Sequence, residues 1–328
     1  MKIRSLILAV AVAVALIPAP SYASSSLTVG VAYDIGGRGD RSFNDASAAG
    51  LDKAQKQYDF NLEAVVTDGT SADREKRIRS LITKNCNPVI AIGSGYSSTL
   101  QALAIEFPNT QFAIINDASV AALNVTSVVF ANTQGAYLAG FSAALASKSG
   151  KVAMIANPDQ ADIYKDGFSA GVFASKKKVI PIVKYVSGSY SAATNQVIDA
   201  GADVVFVATQ GSDSEVFKVI VARNAKKKGS NIGLINVEPD QYITVTSSTK
   251  KFLFASVVKR VDKAIFDIIA LSTAKKQYLD ILDADAGIYG RRYGITGGGI
   301  EFTIRSNELL AKSGSINIAA ATAEKIPA

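Results

Sequence analysis

Ten short apolar runs, separated by helix-length amphipathic segments, set the pattern of this chain. The runs cover residues 27–33, 62–67, 88–92, 111–115 and 126–131, then 152–155, 180–185, 204–208, 232–237 and 252–258. Most are rich in β-branched residues and nearly continuous in apolar character, as parallel strands covered on both faces should be. Between them apolar residues recur three and four apart, as in Ile78-Leu81-Ile82, Leu100-Leu103-Ala104 and Val216-Val219-Ile220. That spacing predicts helices with one buried stripe. Strand and helix in alternation predict an α/β protein with parallel sheets and right-handed crossovers.

The series is doubled, and one twisted sheet of ten strands is unusual. The pattern therefore predicts two doubly wound lobes with a ligand cleft between them. Passages between the lobes are expected near Asn132, near Lys259 and in the loop 283–287. They divide the chain into an N-terminal lobe of 27–132 plus 259–287 and a C-terminal lobe of 133–258 plus 288–328. Ahead of both, Lys2 and Arg4 precede an unbroken apolar run over 6–17, ended by Pro18 and Pro20, with small residues in Ser21-Tyr22-Ala23. Residues 1–23 thus read as a cleaved signal peptide, because the run is shorter than the roughly 20 residues that span a bilayer. The mature protein is expected outside the cytoplasm, secreted, periplasmic or held at the cell surface. No lipobox cysteine stands at the expected cleavage site.

Composition narrows the chemistry. With 328 residues, 48% hydrophobic and 19% charged, the chain has material for two ordinary cores. Histidine is absent and Cys86 is the one cysteine. An intrachain disulfide, a Ser-His-Asp or Cys-His nucleophile and the commonest zinc ligand are all excluded. No catalytic residue, metal or cofactor is expected, and Cys86 reads as a small core residue. The net charge of +7 falls by two when Lys2 and Arg4 leave with the signal. The triplets Lys176-Lys177-Lys178 and Lys226-Lys227-Lys228 fall at predicted helix ends, where cations complement the dipole. They lack interleaved aromatics for stacking bases, so no nucleic-acid partner is expected. A basic exterior does favour an anionic membrane or wall.

The most telling motif is Asp34-Ile-Gly-Gly-Arg-Gly-Asp-Arg-Ser-Phe-Asn-Asp45, which follows the first apolar run directly. A strand, a glycine-rich turn and a helix start bring backbone N–H groups and short polar side chains to one point past the strand's carboxyl end, where open α/β sheets bind ligands. Its dinucleotide likeness fails, since Ser42 stands where the third glycine belongs. Asp34, Phe43, Asn44 and Asp45 supply carboxylates, an amide and a ring, which suit a neutral, flat-ringed guest. Further polar sets follow later strands: Asn116-Asp117, Gly188-Ser189-Tyr190, Gln210-Gly211-Ser212, Glu238-Pro239-Asp240 and Lys259-Arg260.

These motifs, in this order, resemble the basic membrane protein family of purine nucleoside receptors, type I solute-binding proteins of bacterial ABC importers. The likeness runs from about Val29 to Asp267. It rests on Ser42-Phe-Asn-Asp45, Phe112-Ala-Ile-Ile-Asn-Asp117, Ser127-Val-Val-Phe130, Gly135-Ala-Tyr-Leu-Ala-Gly140, Gly167-Phe-Ser-Ala-Gly171, Gly201-Ala-Asp-Val204 and Val258-Lys-Arg-Val-Asp262. It implies the fold of a type I periplasmic binding protein and a ligand set of Asp34, Phe43, Asn44, Asp45, Asp117, Tyr190, Gly211, Glu238 and Lys259. Rings would stack on the purine, while carboxylates and Lys259 fix the ribose. An ionised carboxylate accepts from two vicinal hydroxyls at once. At position 238 glutamate replaces the family's aspartate, and Tyr190 falls where the family has phenylalanine.

Each residue also has a plainer role open to it. Asp45 and Asp117 are suited to capping helices, Phe43 to anchoring the first helix, and Lys259 to an ion pair with Asp262. The resemblance implies a monomeric, non-enzymatic receptor that closes over a nucleoside and hands it to a membrane permease. Charged residues such as Arg74, Lys76 and Arg79 are candidates for meeting that permease. Two rivals stay open: a nucleoside hydrolase or phosphorylase on the same cleft, and a ligand sensor or surface protein uncoupled from transport.

Overall fold

A computed structural model describes residues 27–158, 161–209, 213–226, 231–238, 242, 245–278 and 280–327, with backbone alone at 161, 162 and 238. The expected signal peptide and Gly211 lie outside the described residues, as does the side chain of Glu238. The first sheet takes β1 (Thr28–Tyr33), β2 (Asn61–Val66), β3 (Val89–Ile92), β4 (Phe112–Ile115) and β5 (Val125–Phe130), linked by α1 (Phe43–Gln55), α2 (Ser71–Thr83) and α3 (Ser97–Glu106). Every residue of β3 and β4 is buried, because helices cover both faces, whereas no residue of the edge strand β2 is fully buried.

The chain then crosses into α4 (Asn132–Ala146), β6 (Lys151–Ala156), α5 (Ala161–Ala174), β7 (Ile180–Tyr185), α6 (Tyr190–Asp199), β8 (Val204–Ala208), α7 (Asp213–Lys226), β9 (Gly233–Glu238), α8 (Ser247–Lys250) and β10 (Leu253–Lys259). It returns through α9 (Val261–Thr273), β11 (Asp280–Asp283) and β12 (Ile288–Tyr293), and crosses last to β13 (Ile300–Ile304), α10 (Asn307–Leu310) and α11 (Ser313–Ala323). The sheets run β11-β12-β5-β4-β3-β1-β2 and β13-β10-β9-β8-β6-β7. Both are parallel except for β11 and β13, each antiparallel at an edge. This is the type I periplasmic binding-protein architecture.

All ten apolar runs form strands. The lobe boundary needs two corrections: Lys259 still belongs to β10, paired with Ile300 in the second sheet. Residues 288–293, expected in the second lobe, pair in parallel with β5, from Gly290 beside Ser127 to Tyr293 beside Phe130. The third passage is therefore 294–299, not 283–287. Three passages meet side by side: Ala131 N–H donates to Tyr293 O at 2.8 Å, and Arg260 N–H donates to Gly299 O at 3.0 Å. Gln134 adds a side-chain tie, its Oε1 accepting from Ile295 N–H at 3.0 Å.

The glycines of two motifs have a packing reason. α4 is buried almost all round and lies against α5 at close range. A Cβ at Gly140 would stand 2.0 Å from Phe168 O, at Gly167 2.3 Å from Thr133 O, and at Gly171 2.0 Å from Tyr137 O. In the first lobe Gly50 admits α9 in the same way, with Asp262 O 2.4 Å from where a Cβ would be. Cys86 is buried against Gly30, and burial pushes its thiol up. Lys176, Lys177 and Lys178 follow α5 and are exposed.

Candidate functional site

The loop from β1 to α1 is held together by three of its own side chains. Asn44, 2% exposed, accepts from Asp34 N–H with Oδ1 at 3.0 Å and donates from Nδ2 to Asp34 O at 3.2 Å. Asp40 caps α1, its carboxylate accepting from the N–H groups of Ser42, Asn44 and Asp45 at 2.8, 3.0 and 3.1 Å. Asp45 accepts from Gly39 N–H at 2.6 Å and Arg41 N–H at 2.9 Å. Positive φ angles at Gly36, Gly37, Gly39 and Arg41 make that wrap possible. Asn44 and Asp45 thus spend their polar atoms on the loop, a role the motif alone did not reveal. Because buried partners would be orphaned, Asn44→Ala should lower stability by about 1–3 kcal/mol. A denaturant midpoint unchanged from the unmodified protein would refute the clamp.

What the loop frames is a hollow of about 220 Å³ at the tips of β1, β3 and β4, lined among others by Asp34, Ser42, Phe43, Gly93, Ser94 and Asn116. Asp34, Phe43 and Asn44, three of the residues the resemblance implies as ligand contacts, line it together. Asn116 stands here in place of its neighbour Asp117. It takes a left-handed conformation at φ 65° and lines the hollow, whereas the Asp117 oxygens accept from Ser119 N–H at 2.8 Å, Ser119 Oγ at 2.6 Å and Ser97 Oγ at 3.2 Å. Asp117 also fastens the two strand-tip loops to each other.

The second lobe contributes Lys259, the last residue of β10 and 1% exposed. Its Nζ lies 5.7 Å from the Phe43 ring and 5.7 Å from the Tyr164 ring. One ammonium therefore sits against an aromatic from each lobe, a geometry in which a desolvated cation is favoured by about 2 kcal/mol. Tyr164, on α5 and edge-on to Phe206 at 6.1 Å, carries no signal in the sequence, because a helical tyrosine in an apolar stripe reads as core. The alternative partner for Lys259 is taken: Asp262 pairs with Arg260 at 2.7 Å. Burial works to raise the Asp262 carboxyl, and Arg260 outweighs it and holds the group below the usual carboxylate range.

Tyr190 opens α6 and donates its hydroxyl to Asn157 Oδ1 at the tip of β6. The two form a polar contact on the second lobe's strand tips. Glu238 ends β9 directly beside Val258 in the parallel register, one residue from Lys259. Among the described residues no group of acidic, histidine or cysteine side chains is arranged to hold a metal, and no helix is long and apolar enough to cross a membrane.

Two mostly parallel sheets joined by three adjoining passages are the fold of type I periplasmic binding proteins. The particular family follows from comparison with known proteins. A model described as ABC transporter substrate-binding protein PnrA-like (Bmp) matches residues 27–318, and the chain belongs to that family. It is 30% identical over 272 residues to a CD4+ T-cell-stimulating antigen of Listeria innocua, covering 76% of this chain and 75% of that one. It is 27% identical over 261 residues to the ABC transporter nucleoside-binding protein BmpA of Lactococcus lactis, covering 74% of each. Among solved structures, an ABC transporter solute-binding protein of Aeropyrum pernix superposes with a TM-score of 0.66 at 20% identity, covering 91% of this chain and 86% of that one.

Proposed function

We propose that this protein captures a nucleoside, a purine nucleoside above all, by closing its two lobes, and delivers it to the permease of an ABC importer. The observation that carries the reading is Lys259, buried at the lobe junction between Phe43 of one lobe and Tyr164 of the other. Rings and an ammonium drawn from both lobes to one point are what a flat, hydroxyl-bearing guest needs to bridge them. The Lactococcus relative named for nucleoside binding supports the same ligand class.

Physical chemistry favours a neutral guest. Asp34 lines the hollow with Asn116 and Ser94, and its carboxylate accepts hydroxyl or N–H donors, which an ionised phosphate does not offer. Aromatic stacking adds about 1–3 kcal/mol per base with little preference among bases, so polar contacts set the selectivity. Closure takes place about the passages at Ala131, Arg260 and 294–299, because a few terminal residues of elements absorb a lobe rotation. The protein acts as a monomer outside the cytoplasm after loss of its signal peptide, and no catalysis is assigned to it.

Calorimetry of the unmodified protein against adenosine, guanosine, inosine, cytidine and uridine is the direct test. We expect a purine nucleoside to bind tightly, with a weaker or absent signal for pyrimidines. No heat with any of the five would overturn the ligand class. Release of free base during a long incubation with inosine would point to a hydrolase instead.

A further inference from the structure

Asp34 offers its two carboxylate oxygens to two different tasks. Arg74 Nη2 donates to Oδ1 at 2.8 Å, and Nη1 donates to Gly69 O at 2.6 Å. The guanidinium lies 5.4 Å from the centre of the Tyr96 ring. Tyr96 is itself buried, its hydroxyl donating at 2.8 Å to the carbonyl of Tyr33, the residue before Asp34. Gly95 makes the route possible, since a Cβ there would stand 2.6 Å from the guanidinium. The Arg74 side chain is 13% exposed and that of Asp34 35%. An arginine expected at a permease surface is thus an internal part of the strand tips.

The grip fixes the carboxylate. Turning it would break a charge-assisted hydrogen bond, which is about twice as strong as a neutral one. Oδ2 is left on the side of Gly93, where a Cβ would stand 3.3 Å from it. Both residues line the hollow, and no described group donates to Oδ2. Gly93 has a φ of 98°, so this wall is backbone that only glycine forms without strain.

We propose that Arg74 is a positioning and specificity residue: by taking Oδ1 it leaves Asp34 one ligand-facing oxygen, which accepts a single hydroxyl or N–H donor of the guest. In this arrangement Asp34 would hold one donor of the guest rather than both hydroxyls of a vicinal diol. This inference rests on the nucleoside reading above.

A double-mutant cycle tests it by calorimetry with whichever of adenosine, guanosine and inosine the unmodified protein binds most tightly. Arg74→Met should weaken binding about tenfold, the usual scale for one hydrogen bond to a charged group. In the Asp34→Asn background the same change should have no further effect, because the group it positions is already altered. Arg74→Lys should restore most of the affinity. Circular dichroism checks each variant. If Arg74→Met fails to fold, Arg74→Gln, which keeps a donor for Gly69 O, runs the same cycle. A full loss from Arg74→Met in both backgrounds, or no loss in either, overturns the inference alone. An unmodified protein that binds none of the three overturns the ligand reading and this inference with it.

Discussion

Lys259→Met should bind purine nucleoside about a hundredfold more weakly than the unmodified protein, the largest loss expected from a single change in the site. The estimate joins one hydrogen bond from a charged donor, about 1.5–3 kcal/mol, to the loss of a cation held at 5.7 Å from both Phe43 and Tyr164. Because Lys259 is 1% exposed, solvent cannot stand in for the ammonium. The residue also reaches both lobes, so its removal weakens the closed state together with the contact. Methionine keeps the length and apolar stem, which separates loss of charge from loss of packing. Calorimetry at a temperature where circular dichroism shows the variant folded gives the answer. Binding within threefold of the unmodified protein would remove Lys259 from the ligand set.

The second large effect falls on stability. Gly140→Ala should destabilise the protein by about 3 kcal/mol, the upper part of the range for overpacking a tight core. A Cβ at Gly140 would stand 2.0 Å from the carbonyl oxygen of Phe168, and a backbone atom in the middle of a helix has no rotamer with which to escape. The helices would have to part by more than an ångström, disturbing Tyr164 and Phe168 against Phe206, whose rings lie 6.1 and 5.7 Å away. Alanine's better helix propensity, about 1 kcal/mol over glycine, offsets only part of this. For a chain of this size the melting temperature should fall by roughly 5 °C. Gly171→Ala, facing Tyr137 O at 2.0 Å, should behave alike. A melting temperature within a degree of the parent in both variants would contradict the close crossing of α4 and α5.

The Arg74 cycle and the Lys259 variant read different contributions to one site. Lys259 joins the lobes, so its loss should slow capture and speed release alike. Arg74 acts inside one lobe and should change affinity without changing how the lobes meet. An affinity loss that vanishes in the Asp34→Asn background belongs to positioning. One that persists there belongs to packing.

Legibility in the sequence followed the strength of local pattern. Each of the ten apolar runs became a strand with ends within one residue of its reading, because a parallel strand buried on both faces writes its position as a continuous apolar block. The strands β11, β12 and β13 carry no such block. Asp280-Ile-Leu-Asp283 is mostly exposed, and β12 contains Arg291 and Arg292, both exposed. Such mixed segments read as loop, which moves the expected third passage to 283–287 instead of 294–299. The β1–α1 motif marks a ligand loop, and Asn44 does line the hollow, but the bonding of Asn44 and Asp45 within the loop is not legible. Their polar atoms close hydrogen bonds to backbone that curls back over the helix start, a geometry that composition does not encode.

What the sequence determined by itself was the periodic part: two series of buried strands, the glycine-bearing helices between them, and the polar residues that follow strand ends. Those are local properties, fixed by side-chain volume, branching and the two repeat lengths of helix and strand. Only the tertiary structure decided which polar residues face a common space and which are used up on their own loops. It brought Lys259 to Phe43 and Tyr164 across two lobes, and drew Arg74 inward to Asp34 from 40 positions away. Contacts of that kind depend on the angles at which helices and sheets pack, and on small residues such as Gly95 and Gly140 that let them approach. No short stretch of sequence carries that information, because the two halves of each contact lie far apart along the chain.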